Sequence, residues 1–162
     1  MLQSPEFSRE MRLGEEAAVA DLLGLAFAGD AEARLVAALR KSGVMAGEVV
    51  LPYQGEVVGY YALSQMRAPK GWLCLAPVAI HPDWQRRGHG RRMIGMLTEW
   101  ARLSGTRVVV LGQVPFYERA GFSAARAARL TSPYPVEHTL LAGAGTDAPD
   151  ATLIYPAAFE QL

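Results

Sequence analysis

The sequence predicts a mixed α/β fold of the α+β class, and three observations carry that expectation. Leu73 to Ile80 is a short apolar run broken only by Pro77 and bounded by Gly71 and His81-Pro82, which suits a strand buried on both faces. From Gly90 onward the period becomes helical, with Met93, Met96, Leu97 and Trp100 forming the apolar stripe. Thr106 to Leu111 is again continuously apolar. Residues 73 to 111 therefore read as a strand–helix–strand crossover, whose two strands should be parallel and right-handedly connected.

The remaining elements follow in order. Pro5 to Leu13 is a weakly marked first strand. Gly14-Glu15-Glu16 opens a helix with Val19, Leu22, Leu23, Ala26 and Phe27 on one face, and Gly29-Asp30 ends it. A second helix carries Leu35, Val36 and Leu39 and stops at Ser42-Gly43. Glu48 to Tyr53 and Glu56 to Met66 flank Gln54-Gly55, a hairpin turn. Pro77 cannot donate a ladder hydrogen bond, so the central strand should bulge or splay there. Backbone groups from Pro77 to Ile80 then need a partner, and a ligand with amide groups could supply it. Pro115 to Gly121 is a short helix, with proline in its first turn and glycine at its stop. Ala125 to Leu130, Val136 to Ala142 and Thr152 to Tyr155 read as further strands.

The segment Val78 to Met93 joins the central strand to the helix through Gln85-Arg86-Arg87-Gly88-His89-Gly90. The first N–H groups of a helix lack intrahelical partners, and its dipole favours an anion there. Gly88 and Gly90 leave out Cβ atoms where a phosphate could come close, and Arg86, Arg87, Arg91 and Arg92 add positive charge. The Rossmann pattern fails because Met93 stands where its third glycine belongs. The P-loop pattern fails because neither glycine is followed by Lys-Ser/Thr. A nucleotide-binding domain is therefore disfavoured.

This stretch resembles the Q/R-x-x-G-x-G/A acetyl-CoA signature of the GNAT superfamily of N-acetyltransferases, and Val78-Ala79-Ile80-His81-Pro82 resembles that family's strand end. Phe116-Tyr117-Glu118-Arg119-Ala120-Gly121-Phe122 is similar to its second signature, Y-x-x-x-G-F. The preceding Val110-Leu111-Gly112 matches the glycine step of a bacterial branch. The resemblance implies the GNAT fold: a central, mostly antiparallel twisted sheet of about six to seven strands with a parallel splayed pair (near 72–80 and 106–111), flanked by about four helices. It implies acetyl-CoA as co-substrate, held by Val78, Ala79, Ile80, Gln85, Arg86, Arg87, Gly88, His89, Gly90, Arg91, Gln113 and Tyr117. Gln113 stands where many members place an asparagine. It also implies transfer of the acetyl group to a primary amine, small-molecule or peptide, with Tyr117 as the general acid and the early helix pair walling the acceptor site.

The chemistry asks for more than the resemblance supplies. An alkyl amine with a pKa of about 10.4 must lose a proton before it attacks. A backbone N–H at the splayed strand, that of Ile80 above all, can polarise the thioester carbonyl. No carboxylate lies between Leu73 and Ile80, so Glu56, His81, Glu137 and His138 stay open as the base. The missing carboxylate keeps a second reading in view, a non-catalytic acyl-CoA-binding or sensing module. No His/Cys/Asp/Glu set has metal-ligand spacing, so no metal is expected.

Composition sets the outer limits. At 162 residues, half of them hydrophobic, the chain suits a single domain over 1–162. Sixteen bases balance sixteen acids, so no nucleic-acid partner is expected. Cys74 is the one cysteine, which excludes an internal disulfide, fits a reducing compartment and reads as a core thiol. No apolar run has the length of a membrane span, and the N-terminus lacks a signal peptide's apolar centre. The expected setting is cytoplasmic, and the default assembly is a homodimer.

Overall fold

The computed structural model describes residues 5–161; the outermost residues of the expected 1–162 domain lie outside it. In chain order the elements are β1 (Arg9–Glu10), α1 (Glu16–Phe27), α2 (Ala31–Lys41), β2 (Met45–Tyr53), β3 (Glu56–Gln65), β4 (Leu73–Ile80), α3 (His89–Ser104), β5 (Val108–Leu111), α4 (Val114–Arg119) and β6 (Thr139–Ala142). The six strands lie side by side in sequence order. Every neighbouring pair is antiparallel except β4 and β5, which are parallel as the crossover requires. The hairpin turn between β2 and β3 is tight because Gln54 and Gly55 both take positive φ (48° and 80°), which matches the twist of the flanking strands. No helix among the described residues is long and apolar enough to cross a membrane.

The expected irregularity at Pro77 is present and has two consequences. Tyr61 of β3 faces Val78 while Leu63 faces Leu75, so two steps on β3 match three on β4. The extra residue lies at Ala76-Pro77, a β-bulge. Because side chains alternate faces, one inserted residue flips the parity of the residues after it. Leu73 and Leu75 before the bulge, and Val78 and Ile80 after it, therefore all face the same core, with Met93, Ile94 and Leu97 of α3 and with residues of α4. Cys74 and Ala79 face the opposite side, which is covered by α1, α2 and the C-terminal segment. The second consequence is that β4 pairs with β5 only through Leu73–Val108, Cys74–Val109 and Leu75–Val110. Beyond Leu75 the two strands part.

Four local expectations are corrected. In α3 the buried stripe is Met93, Ile94, Leu97, Thr98 and Ala101, while Met96 and Trp100 are exposed. Thr98 turns inward because its hydroxyl donates to the Ala120 carbonyl at 2.7 Å, tying α3 to the end of α4 and setting the helix rotation. Ala125 to Leu130 is not a strand. Ala125–Ala127 is a 3-10 turn, with the Arg126 N–H donating to Ser123 Oγ, and the Arg126 guanidinium holds the carbonyls of Gly143, Ala144 and Asp147. Thr152 to Tyr155 does not join the sheet; it makes single bridges to Thr131 and Ala68. The closing strand begins at Thr139, with 136–138 forming a 3-10 turn before it.

Gly59 shows how tightly β3 packs under the end of β4. It faces Ile80, and a Cβ there would lie 2.9 Å from Leu51 Cβ and 3.0 Å from both Ile80 Cδ1 and Met93 Sδ. Two of these contacts are ends of side chains, but Leu51 Cβ is fixed to the strand backbone. Overpacking of this kind costs about 1–3 kcal/mol. Gly59→Ala is therefore expected to lower stability by that amount in denaturant unfolding, and a midpoint equal to wild type would contradict the packing described.

Candidate active site

The edge of β4 beyond the bulge is built by antiparallel geometry. The His81 N–H donates to the Val58 carbonyl at 2.8 Å, which makes Val58 and His81 a hydrogen-bonded pair. Such pairs alternate along an antiparallel ladder, so Tyr60–Ala79 is also bonded, whereas Gly59–Ile80 and Tyr61–Val78 are not. The backbone groups of Val78 and Ile80 therefore point away from β3, into the gap left by β5. The Ile80 carbonyl is taken by the Gln85 side-chain amide at 2.9 Å. This leaves the N–H and C=O of Val78 and the N–H of Ile80 facing the gap. Ala79 is different: its backbone bonds to Tyr60 and its side chain is buried on the opposite face. Of the strand residues expected at the site, Val78 and Ile80 present groups to the gap and Ala79 does not.

The loop after β4 curls through two left-handed residues, Arg86 (φ 65°) and Gly88 (φ 84°), before α3 begins. Its first helical bond runs from the Arg92 N–H to the Gly88 carbonyl at 3.1 Å. The N–H groups of His89, Gly90 and Arg91 precede it and need partners from outside the helix. Within the chain itself the two glycines do different work. A Cβ on Gly88 would meet nothing within 4 Å, so glycine serves the φ angle there. A Cβ on Gly90 would lie 3.3 Å from Phe116 Cζ and 3.4 Å from Ile80 Cγ1, so Gly90 lets α3 close against α4 and the strand end.

The basic residues also separate. Arg86 and Arg91 are exposed and make no ion pair among the described residues, which leaves both free for an anion. Arg87 lies over the Trp84 ring at 5.3 Å. Arg92 contacts His89 Nδ1. His89 is buried against Trp84, and burial first, then the charges of Arg92 and Arg87, push its pKa down. Its imidazole is thus neutral and internal, and only its main chain belongs to the helix N-terminus. Gln85 acts on the strand through the bond to Ile80.

Two cavities meet at this gap. The first, of about 730 Å³, is bordered by Val78, Ile80, Gly88, Arg91, Gln113 and Tyr117 among others. The second, of about 370 Å³, opens toward α1 and α2 and is walled largely by aromatic and aliphatic groups. Val78 and Tyr117 line both. Tyr117 is wedged between Phe116 and Phe122, edge-on to each at 4.9 and 5.7 Å between centroids. Gly112 is required beneath it, since a Cβ there would sit 2.5 Å from Tyr117 Cε2. Burial, and secondarily Cys74, push the Tyr117 phenol up to about 12. Its hydroxyl has no hydrogen-bond partner among the described residues. Cys74 is itself fully enclosed, and burial pushes its thiol up to about 12, as for a core cysteine.

None of the four residues left open as the base lines the second cavity. Glu56 is exposed beside the hairpin turn, and His81 Nδ1 accepts from the Asp83 N–H at 3.1 Å. Glu137 and His138 border a separate depression next to Gln113. The carboxylate that does line it is Glu32, in the first turn of α2, which the sequence did not single out. An acid at that position has an ordinary explanation in the helix dipole and so carries no sequence signal.

Comparison with known proteins agrees with this architecture. Residues 18–122 match the Acetyltransferase (GNAT) family. Over 109 residues the chain is 33% identical to an uncharacterized N-acetyltransferase, YhbS, of Escherichia coli (strain K12), covering 64% of this chain and 65% of that protein. The uncharacterized N-acetyltransferase YjhQ of the same strain is 34% identical over 121 residues, covering 68% and 66%. The aligned part thus spans about two thirds of the length of these relatives. Among solved structures, E. coli YhbS in complex with CoA superposes with a TM-score of 0.87 at 25% identity, covering 99% of this chain and 94% of that one. A GNAT family acetyltransferase from Brucella melitensis in complex with acetyl-CoA gives 0.78 at 28%, covering 94% and 97%. With the parted parallel strands, the arginine-flanked helix start and the tyrosine between two cavities brought together at one gap, the chain belongs to the GNAT acetyltransferase family.

Proposed function

We propose that this protein is an acetyl-CoA-dependent N-acetyltransferase in which a primary amine attacks the thioester directly, both substrates being bound together. The observation that carries the reading is the free edge of β4. Val78 N–H and C=O and Ile80 N–H form a strand-like row facing a cavity that ends at the N-terminus of α3. A pantetheine arm has two amides that can pair with such a row, and a pyrophosphate suits the N–H groups of His89, Gly90 and Arg91 with Arg86 and Arg91 beside them. The complexes of the two relatives with CoA and acetyl-CoA support the same ligand here.

Acetyl-CoA, when bound, supplies the acetyl group as an activated thioester. The chain's own residues do the rest. The Ile80 N–H can receive the negative charge that grows on the carbonyl oxygen as the amine nitrogen attacks. The carbon–sulfur bond then breaks, and the Tyr117 hydroxyl donates its proton to the departing sulfur. Although the phenol is a weak acid at about 12, the sulfur leaves inside the same desolvated cleft, which raises its basicity too. The nitrogen releases one proton to water as the amide forms, and the Tyr117 phenolate takes one back from water, so the transfer from the neutral amine is balanced. The sensing-module reading drew its motive from the lack of a carboxylate on β4; Glu32 in the second cavity supports turnover instead.

Reversing the two free arginines, as Arg86→Glu with Arg91→Glu, should weaken acetyl-CoA binding in calorimetry by roughly 10–100-fold while leaving the thermal midpoint unchanged. Undiminished affinity would refute the anion site. Tyr117→Phe should lower kcat by roughly 100-fold with little change in coenzyme affinity. In the wild type the phenol is the required protonated form below its raised pKa, so kcat should show no alkaline decline from this group between about pH 6 and 10. A Tyr117→Phe variant as fast as wild type would remove the tyrosine from the reaction.

A further inference from the structure

The second cavity has a lining that distinguishes among amines. Phe27 and Leu35 form one wall, and Tyr134, Tyr155 and Phe159 form another. Those three rings make a tilted and edge-to-face cluster, Tyr134 against Tyr155 at 5.0 Å and Tyr155 against Phe159 at 5.7 Å. Glu32 is the only acidic side chain in the lining, and no lysine or arginine accompanies it. It is half-buried and makes no ion pair or hydrogen bond with any described residue. A carboxylate on the wall of an otherwise uncharged chamber is the one partner there that a cation can pair with.

We infer that Glu32 is the anchor for the acceptor's ammonium group and that the acceptor is a small monoamine with an aromatic or bulky apolar body. This rests on the N-acetyltransferase reading above. The same cavity is lined by Val78 and Tyr117, so the nitrogen held at Glu32, which is also the one that attacks, lies in the chamber that the acetyl group enters, and it attacks once its proton has left to water beside the carboxylate. A volume of about 370 Å³ lies at the small-molecule end of ligand pockets, which run from about 300 to 1,000 Å³. Polyamines and aminoglycosides carry several cations, and a lining with a single carboxylate would leave all but one of them unpartnered. A free amino acid brings a carboxylate beside Glu32 with no cation to receive it. A peptide lysine offers a single ammonium, but its narrow stem leaves the space between the aromatic walls unfilled.

The test compares 2-phenylethylamine with phenylalanine, which differ by one carboxylate, alongside spermidine, kanamycin and a lysine-containing peptide. Thiol release by the full chain should give 2-phenylethylamine a kcat/KM at least about tenfold above each of the others. Glu32→Gln should raise its KM at least about tenfold while acetyl-CoA affinity stays as in wild type. Glu32→Arg should shift the ratio toward phenylalanine. Calorimetry of 2-phenylethylamine on the protein without coenzyme, wild type against Glu32→Gln, decides the anchor even if acetyl-CoA fails to bind, an outcome that would sink only the coenzyme reading. Preference for spermidine, kanamycin, phenylalanine or the peptide would overturn the inference. So would equal binding of 2-phenylethylamine to wild type and Glu32→Gln, or no binding to either.

Discussion

The parting of β4 from β5 after Leu75 and Val110 is the constraint on which the rest of the site depends. A parallel pair inside a sheet normally satisfies its backbone groups along its whole length. Here a single inserted residue at Ala76-Pro77 ends the pairing, and the antiparallel ladder with β3 then aims Val78 and Ile80 into the gap. The same insertion keeps Val78 and Ile80 on the face that packs against α3 and α4. Without it, the alternation of the strand would turn those side chains to the opposite core and leave the gap lined by the wrong residues.

Around that gap the supporting elements fix positions more than they supply chemistry. Gln85 binds the last strand carbonyl and so couples the loop to the strand end. His89, neutral and packed against Trp84, supports the first turn of α3 from behind. Gly112 admits Tyr117 at a distance a side chain would forbid, Gly90 lets Phe116 approach closely, and Thr98 ties α3 to the end of α4. The groups that face the gap are mostly main chain, held by side chains that face away from it. Such an arrangement is preorganised, because strand and helix backbone cannot relax toward an incoming charge as side chains can.

Much of this is legible in the chain. Pro77 announces the bulge because it cannot donate a ladder bond, and the step from Ile80 to Gly90 announces a strand feeding a helix. Pro115 and Gly121 bracket the tyrosine helix. The hidden part depends on packing across distant segments. Met96 and Trp100 have the spacing of core residues, but the Thr98–Ala120 bond sets a different rotation of α3. Gly90 reads as a clearance for phosphate, and its close approach to a phenylalanine 26 residues further along the chain has no mark in the local sequence. Ala79 reads as equivalent to Val78 and Ile80, although the alternation of the ladder separates them. Glu32 is invisible as a site residue, because its placement against Tyr134, Tyr155 and Phe159 depends on α2 meeting the C-terminal segment.

Val78 and Tyr117 border both cavities, so in the proposed reaction the acyl donor and its acceptor share a single doorway. Whatever projects through that doorway occupies the smaller chamber. Each methylene added to the donor's acyl arm is therefore subtracted from the room left for the amine's body, and donor length and acceptor bulk trade against each other inside one fixed volume.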